Sequence, residues 1–416
     1  MGNLLDRFRL RKYQVNPEGG NIFVDRKVEK WLDSFKNGNF SGKTDQEIDI
    51  YRRITKSGIE EDENALPPKS LPNISLILVT YNSDFWMDNL NKMFTSLGKS
   101  LYEIIVVDNG STDDCVERLD HNEKIAIIKN DLPKSFAAAV NQGCRSAKGD
   151  LFLIINPDVA ITKSALFSLI NFYNDHPDAG AIVPKLLLLR TPGFINGVGN
   201  IVPFFRWGYD LGLGHLDVGQ FDHMEEVPSA CFATVLIPKE KWIFVGELDE
   251  GYPMYYEDSD WSYRARGMGY KIAINPKSEI YHAYGGYLRD IKKVSSQKIL
   301  CASYGRLRLI YKLFPNLKAF FFITTYLLFD ILFSLYSLIT LKWINIQMVF
   351  TAWKKFLSEI DLIKQIKMDR IFQPVYLGKS QKKFAQKTFK PRIQFGNPKL
   401  KMYSLKLYQS ILETIA

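Results

Sequence analysis

Four apolar runs set the pattern of the middle of the chain. Ile74–Thr80 (ISLILVT) carries no charge, the mark of a strand buried on both faces. Glu103–Asp108 is a second run, and Ile125–Lys129 and Leu151–Ile155 read as a third and a fourth strand. Helical stretches separate them, near Phe85–Leu97 and over Ser135–Ala147. This alternation predicts β-α-β units and an α/β fold with a mainly parallel central sheet. Further on, Cys231–Ile237 and Lys271–Asn275 read as strands. Tyr255–Arg266 reads as a helix with acids in its first turn, where the macrodipole favours them. Arg190–Glu226 is rich in Gly and aromatics without a clear period. Gly212-x-Gly214 follows no predicted strand there and reads as loop, not nucleotide fingerprint.

The flanks differ in character. Residues 1–72 are polar and mixed in charge, and Leu66–Pro72 holds three prolines, which forbid helix and ladder and mark a linker. Met1–Asp6 (MGNLLD) is close to a myristoylation site but has Asp6 where Ser or Thr is needed, and reads as chance; no secretory signal is read there. Ala319–Leu341 has 17 apolar residues among 23 and one charge, Asp330. It is long enough to cross a bilayer. A mid-span Asp costs roughly 2.5–3.5 kcal/mol on insertion, however, and Asp330, Ser334 and Ser337 share a helical face. The expectation is an amphipathic helical region lying on a membrane or docked to the body, with a single crossing as the alternative. The division expected is an extension and linker over 1–72, a catalytic unit over 73–290, a helical region over 291–360 and a tail over 361–416.

At 416 residues, 46% hydrophobic and 24% charged, the chain has globular composition, which excludes wholesale disorder and collagen-like order. Its four cysteines form no C-x-x-C pair. That excludes a thiolate zinc knuckle and a disulfide scaffold, and suits a reducing compartment. Residues 361–416 hold twelve Lys or Arg against three acids, which accounts for the whole net charge of +9. A basic tail on a neutral body suits an anionic surface, or is simply a solvated tail. No nucleic-acid reader motif accompanies it.

In open α/β sheets ligands bind beyond the carboxyl ends of the strands. Polar residues stand at three such ends: Thr80-Tyr81-Asn82, Asp108–Asp113 and Asn156-Pro157-Asp158. Asp158 offers oxygen to a hard cation, although a lone Asn-Pro-Asp is ordinarily a turn. Glu257, Asp258 and Asp260 crowd three carboxylates into four residues, which raises at least one pKa and suits a general base; such acids are also ordinary capping. His282, at a strand end, suits metal or phosphate, or a structural place.

Val79–Asn82, Val106–Asp113, Phe136–Gly143, Asn156–Val159 and Tyr255–Trp261 together resemble family 2 glycosyltransferases in order and spacing, most nearly the bacterial rhamnosyltransferase-like branch. The resemblance covers about residues 73–285. It implies a GT-A fold and sugar transfer with inversion at the anomeric carbon. Thr80, Tyr81, Asn82, Asp108, Asn141, Asn156 and Asp158 would bind the nucleotide sugar, with Asp113 in the same motif. Asp258 would be the catalytic base. Asp158 and His282 would hold Mg²⁺ or Mn²⁺, and Asn156-x-Asp158 stands where the family commonly has D-x-D, one carboxylate fewer. Glu257, Asp260 and Trp261 would lie toward the acceptor. The implied partners are a dTDP- or UDP-sugar, a glycan or lipid-linked acceptor and the cytoplasmic face of the plasma membrane. The alternative is a non-catalytic glycan-binding or scaffold protein on the same fold.

Overall fold

The computed structural model describes residues 65–368 except 121–122, 190, 204–206, 216 and 285–290, together with residues 11–14, 21–24, 33–35, 43, 45–54, 59 and 61–62. The basic tail from residue 369 on lies outside the described residues. Near the start, β1 (Arg11–Gln14) and β2 (Asn21–Val24) form a hairpin, and α1 (Asp45–Ile54) docks through Arg53 onto Asp217 and Asp222.

The four apolar runs form β3 (Ile74–Thr80), β4 (Glu103–Asp108), β5 (Ile125–Lys129) and β6 (Leu151–Ile155), paired in parallel in the order β5-β4-β3-β6. α2 (Met87–Leu97) covers one face. α3 (Phe136–Ser146) covers the other, its first turn capped by Ser135 Oγ accepting from the Ala138 N–H. The sheet continues through β12 (Thr234–Pro238), β8 (Ala181–Leu188), β13 (Ile272–His282) and β7 (Val159–Ala160), with β9 (Thr191–Gly197) on β8.

This second half is mixed rather than parallel. β12 runs antiparallel to both β6 and β8, and β7 to β13, while β8 and β13 are parallel. The reason is connectivity. A parallel return needs a crossover element, which α4 (Lys163–Asp175) supplies between β6 and β8, whereas β12 enters from the long loop after β9. That loop contains the short pair β10 (Asn200–Ile201) and β11 (Tyr209–Asp210). Gly212 lies in a turn with φ of 86°, in agreement with its reading as loop.

α5 (Lys239–Val245) and α6 (Glu257–Gly267) follow β12. Four helices then close the chain: α7 (Ile291–Leu313), α8 (Asn316–Ile339), α9 (Trp343–Ser358) and α10 (Ile360–Gln365). α7 lies against α6, where Gly305 makes room for the Tyr256 ring; a Cβ there would sit 2.6 Å from the ring. The polar face expected on α8 points inward. Asp330 is buried, pairs with the fully buried Arg306 of α7 and accepts from Trp353 Nε1 at 2.8 Å. Ser337 is buried on the same face. α8 is the one helix among the described residues long and apolar enough to cross a membrane.

Candidate active site

The strand ends deliver the expected residues to one edge of the sheet. Thr80 pairs in register with Asp108, so β3 and β4 end level, and Leu78 pairs with Ile155, so β6 ends two residues short of them. The turns after β3 and β4 are stitched together. Asn82 Oδ1 accepts from the Thr112 N–H at 2.8 Å, Asp108 Oδ1 accepts from the Ser111 N–H at 3.2 Å, and Asp113 Oδ2 accepts from the Asp84 N–H at 2.9 Å. Thr80 Oγ1 is buried and makes no hydrogen bond, while Tyr81 stands exposed beside it.

Asp158 and His282 meet because β7 and β13 pair antiparallel, with Val159 opposite His282. The Ala283 N–H donates to the Asp158 carbonyl at 2.9 Å, and His282 Nε2 lies 3.1 Å from Asp158 Oδ1. Nδ1 faces Asn196 Oδ1 at 2.7 Å. Both ring nitrogens therefore face acceptor oxygens, and a neutral imidazole has one N–H to give. With Nδ1–H donated to Asn196, the Nε2 lone pair points at the carboxylate, an arrangement that a cation between them would satisfy. No group of three His, Cys, Asp or Glu side chains could hold a metal among the described residues. The two side chains fit a cation that takes its other ligands from phosphate oxygens and water, as Mg²⁺ commonly does.

Asp258 begins α6, entered through two consecutive left-handed residues, Tyr255 (φ 65°) and Tyr256 (φ 73°). Non-glycine residues hold that conformation only where the surroundings enforce it. Here Tyr256 is buried under α7 and its hydroxyl oxygen accepts from the Gly208 N–H at 2.6 Å. Asp258 is half-buried. Its Oδ1 accepts from the Ser259 N–H at 2.6 Å and its Oδ2 from Asn200 Nδ2 at 2.7 Å. Burial raises its carboxyl to about 7, with Asp210 adding to the rise against the opposing hydrogen bond from Ser259. Burial and the neighbouring Asp258 raise Glu257 as well, and Glu257 Oε2 has no hydrogen-bond partner.

Two residues with no sequence signal complete the site. Asn200 also donates to the Ala230 carbonyl at 3.1 Å, and Asp210 stands opposite it in the β10–β11 pair. Burial raises Asp210 to about 6, with His282 and a hydrogen bond from Tyr284 acting against it. Its field reaches both Asp258 and His282.

Three expected residues have their side chains engaged inside the fold. Asn141 is buried with its amide spent on the loop after α5: Nδ2 donates to the Leu248 carbonyl and Glu250 Oε1, each at 3.0 Å, and Oδ1 accepts from the Leu248 N–H at 2.9 Å. It pins that loop. Asp260 is fully buried between Arg264 Nε at 2.8 Å and Lys312 Nζ at 2.9 Å, so it ties α6 to α7. Trp261 is fully buried against Trp242, its Nε1 donating to the Gly246 carbonyl at 2.9 Å. Glu257 is buried beside Asp258.

The model of the family "Glycosyl transferase family 2" matches residues 75–186, which carry β3 to β8 and with them Thr80, Asp108 and Asp158. This segment carries the chain's similarity to family 2 glycosyltransferases. The chain is 26% identical over 215 residues to the dTDP-rhamnosyl transferase RfbF of Shigella flexneri, covering 51% of this chain and 70% of that protein. It is 25% identical over 201 residues to the low-salt glycan biosynthesis hexosyltransferase Agl10 of Haloferax volcanii, covering 47% and 62%. An uncharacterized protein, y4gI, of Sinorhizobium fredii is 24% identical over 241 residues, which span only 25% of its length. Among solved structures, a mannosyltransferase from Pyrobaculum calidifontis in complex with GDP-Man and Mn²⁺ covers 86% of this chain and 91% of its own at 14% identity and a TM-score of 0.42. Asp258 and His282 lie beyond the matched segment. β12 and β13 continue the same sheet beyond that segment, and α6 lies between them in the chain.

Proposed function

We propose that the protein is an inverting glycosyltransferase that moves a sugar from a nucleotide donor to a glycan or lipid-linked acceptor at a membrane surface. The observation that carries this reading is Asp258: a half-buried carboxyl, raised toward neutrality by burial and held by two donors, beside the strand ends of a family 2 domain.

A sugar hydroxyl is a poor nucleophile until its proton has an acceptor. Asp258 takes that proton as the hydroxyl oxygen bonds to the anomeric carbon, and the bond from that carbon to the diphosphate oxygen breaks on the opposite side. Asn200 and Ser259 keep the carboxylate oriented. Thr80, Tyr81, Asn82 and Asp108 border the nucleotide, with the exposed Tyr81 ring free to stack on it. Asn156 and Asp158 face the diphosphate, and Asp158 with His282 would hold Mg²⁺ or Mn²⁺. A divalent cation there supplies charge neutralisation to the departing diphosphate. The name of RfbF puts dTDP-rhamnose, and that of Agl10 a nucleotide-linked hexose, first among donors to try.

The C-terminal helices support a peripheral place on the inner face of the plasma membrane. Leu317, Phe321, Leu328, Leu332, Leu335 and Ile339 form one exposed stripe at helical spacing along α8. Trp343, Phe350 and Leu357 form another along α9. A crossing would break the Arg306–Asp330 pair that faces the opposite way.

The test is a donor panel. Purified protein is incubated with dTDP-, UDP- and GDP-sugars, each with Mg²⁺, Mn²⁺ or EDTA, and thermal stability and nucleoside diphosphate release are followed. One nucleotide series should stabilise the protein by mass action and be turned over. No stabilisation and no release across the panel, with acceptor lipids present, would favour a scaffold protein instead.

A further inference from the structure

α7 lies outside the family-matched segment, yet it sends a cation to the site. Lys298 Nζ stands 5.8 Å from the ring centroids of both Tyr255 and Tyr284. Those tyrosines bracket the machinery. Tyr255 precedes Asp258 by three residues, and Tyr284 follows His282 by two and meets its ring edge-on at 6.0 Å. Both are left-handed, with φ of 65° and 43°, so the fold holds them in place against their preference.

Lys298 forms no ion pair and no hydrogen bond among the described residues. It feels Asp210 across the site without touching it, and desolvation lowers its pKa from the ordinary lysine value. An ammonium partly stripped of water, steadied by two aromatic faces and with no carboxylate in direct contact among the described residues, is prepared for an anion that arrives with the ligand. The neighbouring His282–Asp158 pair says which anion. That pair faces the diphosphate, and it has one carboxylate where two would bind a cation more firmly.

We infer that Lys298 binds a phosphate oxygen of the nucleoside diphosphate and stabilises it as it leaves, an inference that rests on the transferase reading above. As the anomeric carbon–oxygen bond breaks, its electron pair goes to that diphosphate oxygen, while the acceptor's proton goes to Asp258. Lys298 keeps its own protons and supplies charge, which matters most when the charge on the leaving group is greatest.

The experiment titrates wild type, Lys298→Ala and Lys298→Arg with UDP, dTDP and GDP by calorimetry in Mg²⁺, and follows turnover of the matching donor. Lys298→Ala should bind the preferred nucleoside diphosphate about tenfold more weakly, ~1.4 kcal/mol, with a lower kcat and an unchanged melting temperature. Lys298→Arg, which keeps the charge, should recover most of both. Wild-type affinity in Lys298→Ala would overturn the inference. That includes the case where only KM for a lipid-linked acceptor rises, which would give Lys298 to the acceptor's phosphate. If the wild type itself binds none of the three nucleotides, the transferase reading fails and this inference with it.

Discussion

Asn200 Nδ2 donates to Asp258 Oδ2 across 2.7 Å, from a strand 58 residues away in sequence. The bond favours the ionised carboxylate, against the burial that disfavours it. Asn200→Ala should therefore raise the Asp258 pKa further. A base works only when ionised, so kcat/KM falls as pH drops through that pKa. The acidic limb of the pH–rate profile should move alkaline by about one unit, the worth of a charge-assisted hydrogen bond, and the plateau should drop less than the rate at pH 6.

Glu257 carries a prediction about stability. Burial and Asp258 raise its carboxyl to about 8, well above the unfolded value. The folded protein then holds a proton that the unfolded chain has already lost, so stability falls as pH rises from about 4.3 toward 8. Glu257→Gln removes that loss. Its melting temperature should match the wild type near pH 4 and exceed it at pH 8, by roughly 2–4 °C for each kcal/mol regained.

Removal of divalent metal should suppress transfer, and restoring Mg²⁺ or Mn²⁺ should bring it back. His282→Ala takes away one of the two side chains that fit the cation, leaving Asp158. Outer and inner ligand changes of this kind cost about 10–100-fold in metal affinity. The metal concentration for half-maximal rate should rise by that factor in His282→Ala, while nucleotide affinity at saturating metal stays close to wild type.

The two faces of α8 should respond in opposite ways. Asp330→Ala leaves the fully buried Arg306 without its carboxylate, a change that costs about 3–5 kcal/mol, whereas Arg306→Met with Asp330→Leu together should be near neutral. Leu328→Glu with Leu332→Glu alters only the exposed stripe. It should leave the melting temperature unchanged and abolish sedimentation with anionic vesicles; retained sedimentation would remove the membrane assignment for this face.

What the sequence discloses here is what lies close along the chain. The unbroken runs of β3, β4 and β6 are legible because burial on both faces keeps charge out of their interiors, while β5, half exposed at the sheet edge, is legible by its apolar residues alone. β8 was not, because Lys185 interrupts it. That lysine is fully buried and neutralised by Asp217 at 2.9 Å and Asp222 at 2.6 Å, residues more than 30 positions away. The acids of α6 look alike in sequence, yet its helical turn directs Asp258 to the site and Asp260 into the salt links with Arg264 and Lys312. Asn141 sits in a family motif but serves a loop 107 residues downstream. Asn200 and Asp210 come from the one aperiodic stretch, where only the tertiary pairing of β10 with β11 gives them meaning.

The central claim is that Asp258 takes the acceptor's proton. The most direct measurement compares wild type and Asp258→Asn for donor affinity and single-turnover transfer with the donor identified by the panel. The account predicts unchanged donor Kd and a rate at least 10²-fold lower, the usual share of a general base, with the product anomer inverted in the wild type. A near-normal rate in Asp258→Asn with intact donor binding would contradict it.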